Sequence, residues 1–273
     1  MTATFPALPA DLEPTRRTLH LYAHAVGAVT RSHAVPHPRW WHIGLTVRPT
    51  GLATEPVPLP DGGTVELVID PRGGRIQLAS SRGDATGLAL GAGTSAAEMG
   101  NSLIDAASRL GLAGDYDRSR FDDDEPRGYD HDVALRFLDV LVDVDRTFAR
   151  HRSALDHGTG PILMWPHGFD LAFEWFGTRL VTHEEGGDIV TSPAQLNLGF
   201  YPAGRAYFYS NPWPFDAERL VHHALPVGAE WHRGDWEGSI LWYDLVADRP
   251  DGPDLVLEYA RAVHEIARPT LTA

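Results

Sequence analysis

Apolar residues recur at helical spacing from Thr15 to Val29. Leu19, Tyr22, Val26 and Val29 fall on one face after a Pro14-Thr15 start signal, so the segment predicts an amphipathic helix. After a turn-rich stretch from His33 to Pro38 the period changes to two. In RWWHIGLTV, Trp41, Ile43, Leu45 and Val47 alternate with His42, Gly44, Thr46 and Arg48, which predicts a strand with one polar face. TVELVID and RIQLASS, separated by Pro71 to Gly74, predict a hairpin. Ser95-Ala-Ala-Glu98 has capping-box spacing, and Met99, Leu103, Ile104, Ala107 and Leu110 supply the apolar face of a second helix.

Gly111 to Tyr129 has no apolar period and carries Asp122-Asp123-Asp124, so it reads as an exposed acidic linker. It lacks the spaced oxygen ligands of a calcium loop. The pattern then restarts. Val133, Phe137, Val140, Leu141, Val144 and Phe148 mark a helix from Asp132 to about Arg152, and strands are expected at Ile162 to Trp175, Gln195 to Tyr201, Arg205 to Ser210 and Ser239 to Val246. Leu255, Tyr259, Val263 and Ile266 give a last helix from Asp254 to Ala267. The expected fold class is α+β, with two similar helix–antiparallel strands–helix halves packed into one compact unit. The halves run over 1–110 and 132–273, joined by a linker at 111–131. Trp40-Trp41-His42 and Trp165-Pro166-His167 stand where each half begins its strands, an echo that suggests internal duplication.

TLHLY (Thr18 to Tyr22), VGAV (Val26 to Val29), RWWHIGLTV followed by GL (Arg39 to Leu52), FDLA (Phe169 to Ala172) and LGFYPAG (Leu198 to Gly204) occur in an order that resembles the uncharacterised bacterial family filed as domain of unknown function 5996. The resemblance spans most of the chain and implies one intact protein of that family. It supplies no chemistry, and it departs at VPHP (Val35 to Pro38) and WPHG (Trp165 to Gly168), so His37 and His167 are not carried over from it.

Composition removes whole classes of function. Lys+Arg 23 against Asp+Glu 37 gives a net charge of −14, which opposes phosphate backbones and anionic lipid, so no nucleic acid or membrane partner is expected. There is no Cys, and all 23 basic residues are Arg. Thiolate metal sites, cysteine nucleophiles, lysine Schiff bases and the lysine of a P-loop are therefore excluded. The opening MTATFPALPADLE has no basic n-region or apolar run, so a cytoplasmic location is the default. Gly91 to Ala96 fits G-x-G-x-x-A, but no parallel strand follows the helix it opens, so it reads as a Gly-rich turn rather than a dinucleotide loop.

The candidate chemistry is histidine and carboxylate. His20 and His24 share a helix face at a spacing that lets two imidazoles reach one zinc ion, or they form a polar stripe. His42, His167 and Asp170 are the candidate catalytic set, since a carboxylate beside an imidazole orients it for acid–base work or metal ligation; Asp170 can equally serve as a buried partner for an arginine. Trp40, Trp165, Tyr201, Arg205 and Tyr207, with His20, are candidate ligand-binding residues. The run from Leu198 to Phe215 holds seven aromatics, which suits either a pocket wall or a packed strand pair. Arg205 suits either a ligand carboxylate or a surface ion pair. The expected function is a small-molecule enzyme using this chemistry in an aromatic-lined pocket, with or without a metal. The alternative is a non-catalytic binding protein for a small aromatic or apolar ligand. The residues leave cofactor, metal and oligomeric state unassigned.

Overall fold

The computed structural model describes residues 4–156 and 158–273, so the opening MTA lies outside the described residues. Contacts cluster into two compact units, each built around one antiparallel sheet. The N-terminal unit comprises Leu8–Val142 and Leu163–Phe169. The C-terminal unit comprises the chain up to Ala7, Asp143–Ile162 and Asp170–Ala273.

The N-terminal unit begins with α1 (Leu12–His33), followed by a 3-10 turn (Trp41–Ile43) and the strands β1 (Thr46–Arg48), β2 (Gly51–Ala53), β3 (Val57–Pro58), β4 (Thr64–Asp70), β5 (Arg75–Ser80) and β6 (Ala85–Ala89). The antiparallel order is β1-β2-β4-β5-β6, with β3 also paired to β4. Period-two burial turns Val65, Leu67 and Ile69 inward, where they join Leu19, Tyr22, Val26 and Val29 of α1 in the core. Helix α2 (Ala96–Arg109) starts where the capping box predicts: Ser95 Oγ accepts the Glu98 amide at 3.0 Å. Ser95→Ala is expected to cost about 1 kcal/mol in chemical denaturation. In the Gly-rich turn before it the Gly93 amide donates to the Arg127 carbonyl, and at the start of the helix the Ala97 amide donates to the Asp123 carbonyl.

Two sequence expectations need correcting here. RWWHIGLTV is a strand only from Thr46. Trp40 takes a left-handed φ of 60°, the next three residues form the 3-10 turn, and the His37 amide donates to His42 Nδ1 at 3.1 Å while the His37 and Trp41 rings stack at 4.2 Å. Local side-chain bonding here outcompetes the ladder. The acidic segment 111–129 is irregular, as expected, but it is anchored rather than free. Leu112, Tyr116 and Phe121 are buried, and buried Arg127 pairs with Asp123 and Glu125.

Helix α3 (His131–Ala154) leaves the N-terminal unit at Val142 and continues in the C-terminal one. Strand β7 (Leu163–Trp165) returns to the N-terminal unit, where Met164 bridges Leu45. The strand expected over Ile162 to Trp175 is thus interrupted by a turn, with Phe169 at a left-handed φ of 53°. In the C-terminal unit follow β8 (Asp170–Glu185), β9 (Asp188–Tyr201), β10 (Tyr207–Trp213), a short α4 (Ala217–Leu220), β11 (Glu230–Arg233), β12 (Glu237–Trp242), a 3-10 turn at Tyr243–Leu245 and α5 (Gly252–Leu271). These strands run β11-β12-β10-β9-β8, all antiparallel. Leu171, Phe173, Phe200 and Phe208 face a core completed by Phe148 of α3 and by Val256, Tyr259 and Val263 of α5. Gly186-Gly187, both at positive φ, make the two-residue turn between β8 and β9.

Candidate functional site

One face of α1 supplies most of a cleft within the N-terminal unit. His20, His24, Gly27 and Arg31 recur every three or four residues, so their side chains line up along the helix. Pro166 and His167, in the turn after β7, lie across this stripe, with Pro166 against Gly27. Asp117 and Arg120 of the acidic segment close the third side, and Ile43 of the 3-10 turn gives an apolar patch.

His20 is the structural member of the stripe. Its Nε2 donates to the Pro166 carbonyl at 3.0 Å, which leaves Nδ1 without a proton in the neutral ring, and its ring is stacked 5.2 Å from Phe169. His24 lies with its ring centroid 4.6 Å from that of His20. Its imidazole makes no hydrogen bond with another described residue and opens on the cleft. Burial, reinforced by the neighbouring His20 and Arg120, pushes the His24 pKa down to about 4, and burial also lowers that of His20. Both are neutral at pH 7. On the rim, Asp117 accepts the Ser119 hydroxyl at 2.6 Å and its amide at 3.0 Å, bonds that hold its carboxyl below the usual range. The Arg31 guanidinium lies 5.4 Å over the ring of Trp40, which is 50 % exposed.

The sequence-derived residues fall in both units. His20, Trp40, His42, Trp165 and His167 are in the N-terminal one. His167 is exposed on the cleft rim, its ring 5.7 Å from that of Trp165. His42 is 8 % exposed, and its Nδ1 is occupied by the His37 amide, so it pins the loop before the 3-10 turn. Burial lowers its pKa. Asp170, Tyr201, Arg205 and Tyr207 belong to the C-terminal unit. There the Tyr209 hydroxyl donates to the Asp170 carboxylate. Arg205 grips Asp244 through two bonds of 2.9 and 3.1 Å and covers the Trp242 ring at 4.2 Å. The aromatic run divides by strand alternation. Phe200 and Phe208 are core, while Tyr201, Tyr207 and Tyr209 lie partly buried on the other face, the Tyr209 hydroxyl turned in against Asp170.

Arg31 and Arg120 had not been expected at a site. The stripe continuing from His20 and His24 to Arg31 was a usable signal; Arg120 reaches the cleft through an irregular loop that no periodicity reports. Among the described residues, no group of three or more His, Asp or Glu is arranged to hold a metal ion, and no helix is long and apolar enough to cross a membrane.

Two helix-covered antiparallel sheets and a histidine–arginine cleft define an α+β protein with one chemically marked groove on its first helix. The chain belongs to the family of unknown function (DUF5996), whose model matches residues 5–271. No curated protein and no solved structure matches it.

Proposed function

We propose that the protein is a small-molecule enzyme using histidine and carboxylate acid–base chemistry in the α1 cleft, with His24 taking or giving the proton. The observation that carries this reading is the unpartnered, burial-neutralised imidazole of His24 opening on a cleft. A free base with no protein hydrogen-bond partner is available to a substrate proton. A base held near 4 is weak, but a negative charge brought beside it offsets the repulsion from Arg120 and His20 and raises its pKa as substrate arrives. His167 and Asp117 at the same rim can pass that proton to solvent. His20, bonded to Pro166, fixes the stripe against the turn after β7.

The test is a metabolite extract incubated with the purified protein and followed by mass spectrometry. A compound consumed by the wild type should be consumed about 100-fold or more slowly by His24→Gln. Consumption at an unchanged rate would remove His24 from the chemistry. Nitrogen-resolved NMR should show the His24 ring neutral down to about pH 5 in the absence of ligand.

The second reading, a non-catalytic protein for a small aromatic or apolar ligand, is favoured by the cross-strand row of Tyr201, Tyr207 and Trp242, with ring separations of 5.4 and 5.7 Å. Retention of a compound without its consumption would select it. The proposal further places the protein in the cytoplasm of a bacterial cell, derives its halves from a duplication, and gives it a small molecule rather than nucleic acid or membrane as partner. The net charge of −14 supports the last point.

A further inference from the structure

We infer that the α1 cleft takes its substrate by an oxyanion, a carboxylate or a phosphate, gripped between the guanidinium groups of Arg31 and Arg120. The inference rests on the cleft being the working site and names the class of molecule that enters it. Of the 23 arginines, twelve form ion pairs among the described residues, Arg16, Arg72, Arg82, Arg127, Arg205 and Arg249 among them. Arg31 and Arg120 make no hydrogen bond or ion pair with another described residue, although Asp117 lines the same cleft. Asp117 takes both Ser119 bonds on Oδ1, and Arg120 and Arg31 act on it through space without a hydrogen bond. Two positive groups from separate segments, α1 and the loop at 111–129, thus face one opening against a single carboxylate, Asp117, which leaves the cleft with an excess of positive charge.

Guanidinium chemistry narrows what fills such a gap. Its planar fork of donors fits two oxygens of one carboxylate or phosphate, and two forks converging from different sides fix the anion's orientation as well as its charge. The resting contact of Arg31 is with the face of Trp40, an exposed ring held outward by a left-handed backbone. A surface cation–π contact is weak enough for a ligand anion to replace it. The neutral His24 beside this clamp adds no competing charge.

The experiment titrates the intact protein at low ionic strength with inorganic phosphate and, separately, with malonate, by calorimetry and by tryptophan fluorescence. Saturable binding of one of them is expected, and whichever saturates identifies the source of the oxyanion. Arg31→Gln and Arg120→Gln should each weaken it about tenfold or more. Asp117→Asn, which removes the one acidic group of the cleft, should tighten it about threefold. Arg109→Gln, at an exposed arginine of α2 outside the cleft, should leave it unchanged. Trp40→Phe should abolish the fluorescence change while calorimetric binding survives. Absence of saturable binding of both anions at about 10 mM, or unchanged affinity in either arginine variant, overturns the clamp. Anion binding that persists in His24→Gln, with turnover also unaffected, overturns the acid–base reading and leaves the clamp standing.

Discussion

Gly199→Ala is expected to destabilise the protein by roughly 3 kcal/mol, read from urea denaturation. Gly199 lies on β9 between Ala172 of β8 and Tyr209 of β10, so its backbone is fixed on both sides. A Cβ there stands 2.2 Å from Cζ and 2.4 Å from the hydroxyl of Tyr209, whose ring lies across the strand. To make room the ring must swing away, and it then gives up its hydrogen bond to Asp170. The cost adds overpacking to the loss of a donor from a partly buried carboxylate. The Tyr209 hydroxyl stays protonated, since burial raises its pKa well above the usual value, so pH offers no escape. In a double-mutant cycle, Gly199→Ala made in a Tyr209→Ala background should cost much less than in the wild type. An equal cost in both backgrounds would show that the ring is not what the methyl meets.

The second large effect is a loss of stability in acid traced to His151 in α3. His151 and His264 of α5 are 5 % and 8 % exposed, with ring centroids 6.4 Å apart, and His151 Nδ1 and His264 Nε2 have no hydrogen-bond partner. Burial, with contributions from His264 and Arg261, pushes the His151 pKa from 6.5 to about 4. The unfolded chain takes up the proton below about pH 6.5 while the folded one refuses it until about pH 4. Stability from this residue is therefore full above pH 6.5, falls as the pH drops to about 4, and is level below. The difference is worth about 3 kcal/mol. Asp145, on the same helix, works in the opposite sense. Burial raises its carboxyl to about 6, so it gains stability on acidification from pH 6 toward 3.8. The wild-type curve contains both slopes, and His151→Leu isolates one of them. Plotted against pH, the stability difference between the two proteins should change by about 3 kcal/mol between pH 6.5 and 4. A constant difference across that window would show that His151 titrates normally.

The parts of the fold that the sequence made legible are those whose burial is one-sided. All four long helices are where their apolar stripes put them, and the capping box at Ser95 marks the start of α2. The hairpin of β4 and β5 follows from its alternation. The outer parts of β8 and β9 were not read because they are exposed on both faces. Leu180 and Ile189 are 68 % and 74 % exposed, so there is no inside–outside period to find, and the Gly186-Gly187 turn was the remaining signal. The 3-10 turn at Trp41 carries a strand-like pattern because its apolar residues happen to alternate, while the deciding contacts, His37 to Trp41 and to His42, are specific to one conformation. At the site, spacing alone picked out His20 and His24, but it could not show that one is bonded and the other open. His167 was chosen as part of a strand start and reaches the cleft from a turn. Arg120 carries no local pattern at all; its role follows from where an irregular loop comes to rest.

The way the chain threads between its two units sets an order of events during synthesis. Residues 5–7 are made early, yet their partners are late: the Tyr243 hydroxyl donates to the Pro6 carbonyl, the Asp248 amide to that of Phe5, and the Ala7 amide to the Asp248 side chain. On a ribosome adding about 5–20 residues per second, this segment waits on the order of ten seconds or more for its seat. Phe5, fully buried at the end, spends that time exposed. The N-terminal unit likewise cannot close until Leu163–Phe169 has emerged, and the part of α3 from Asp143 onward must then wait for the strands of its own unit. Neither unit is a contiguous stretch that a nascent chain can finish and leave behind, so the polypeptide is obliged to mature nearly whole.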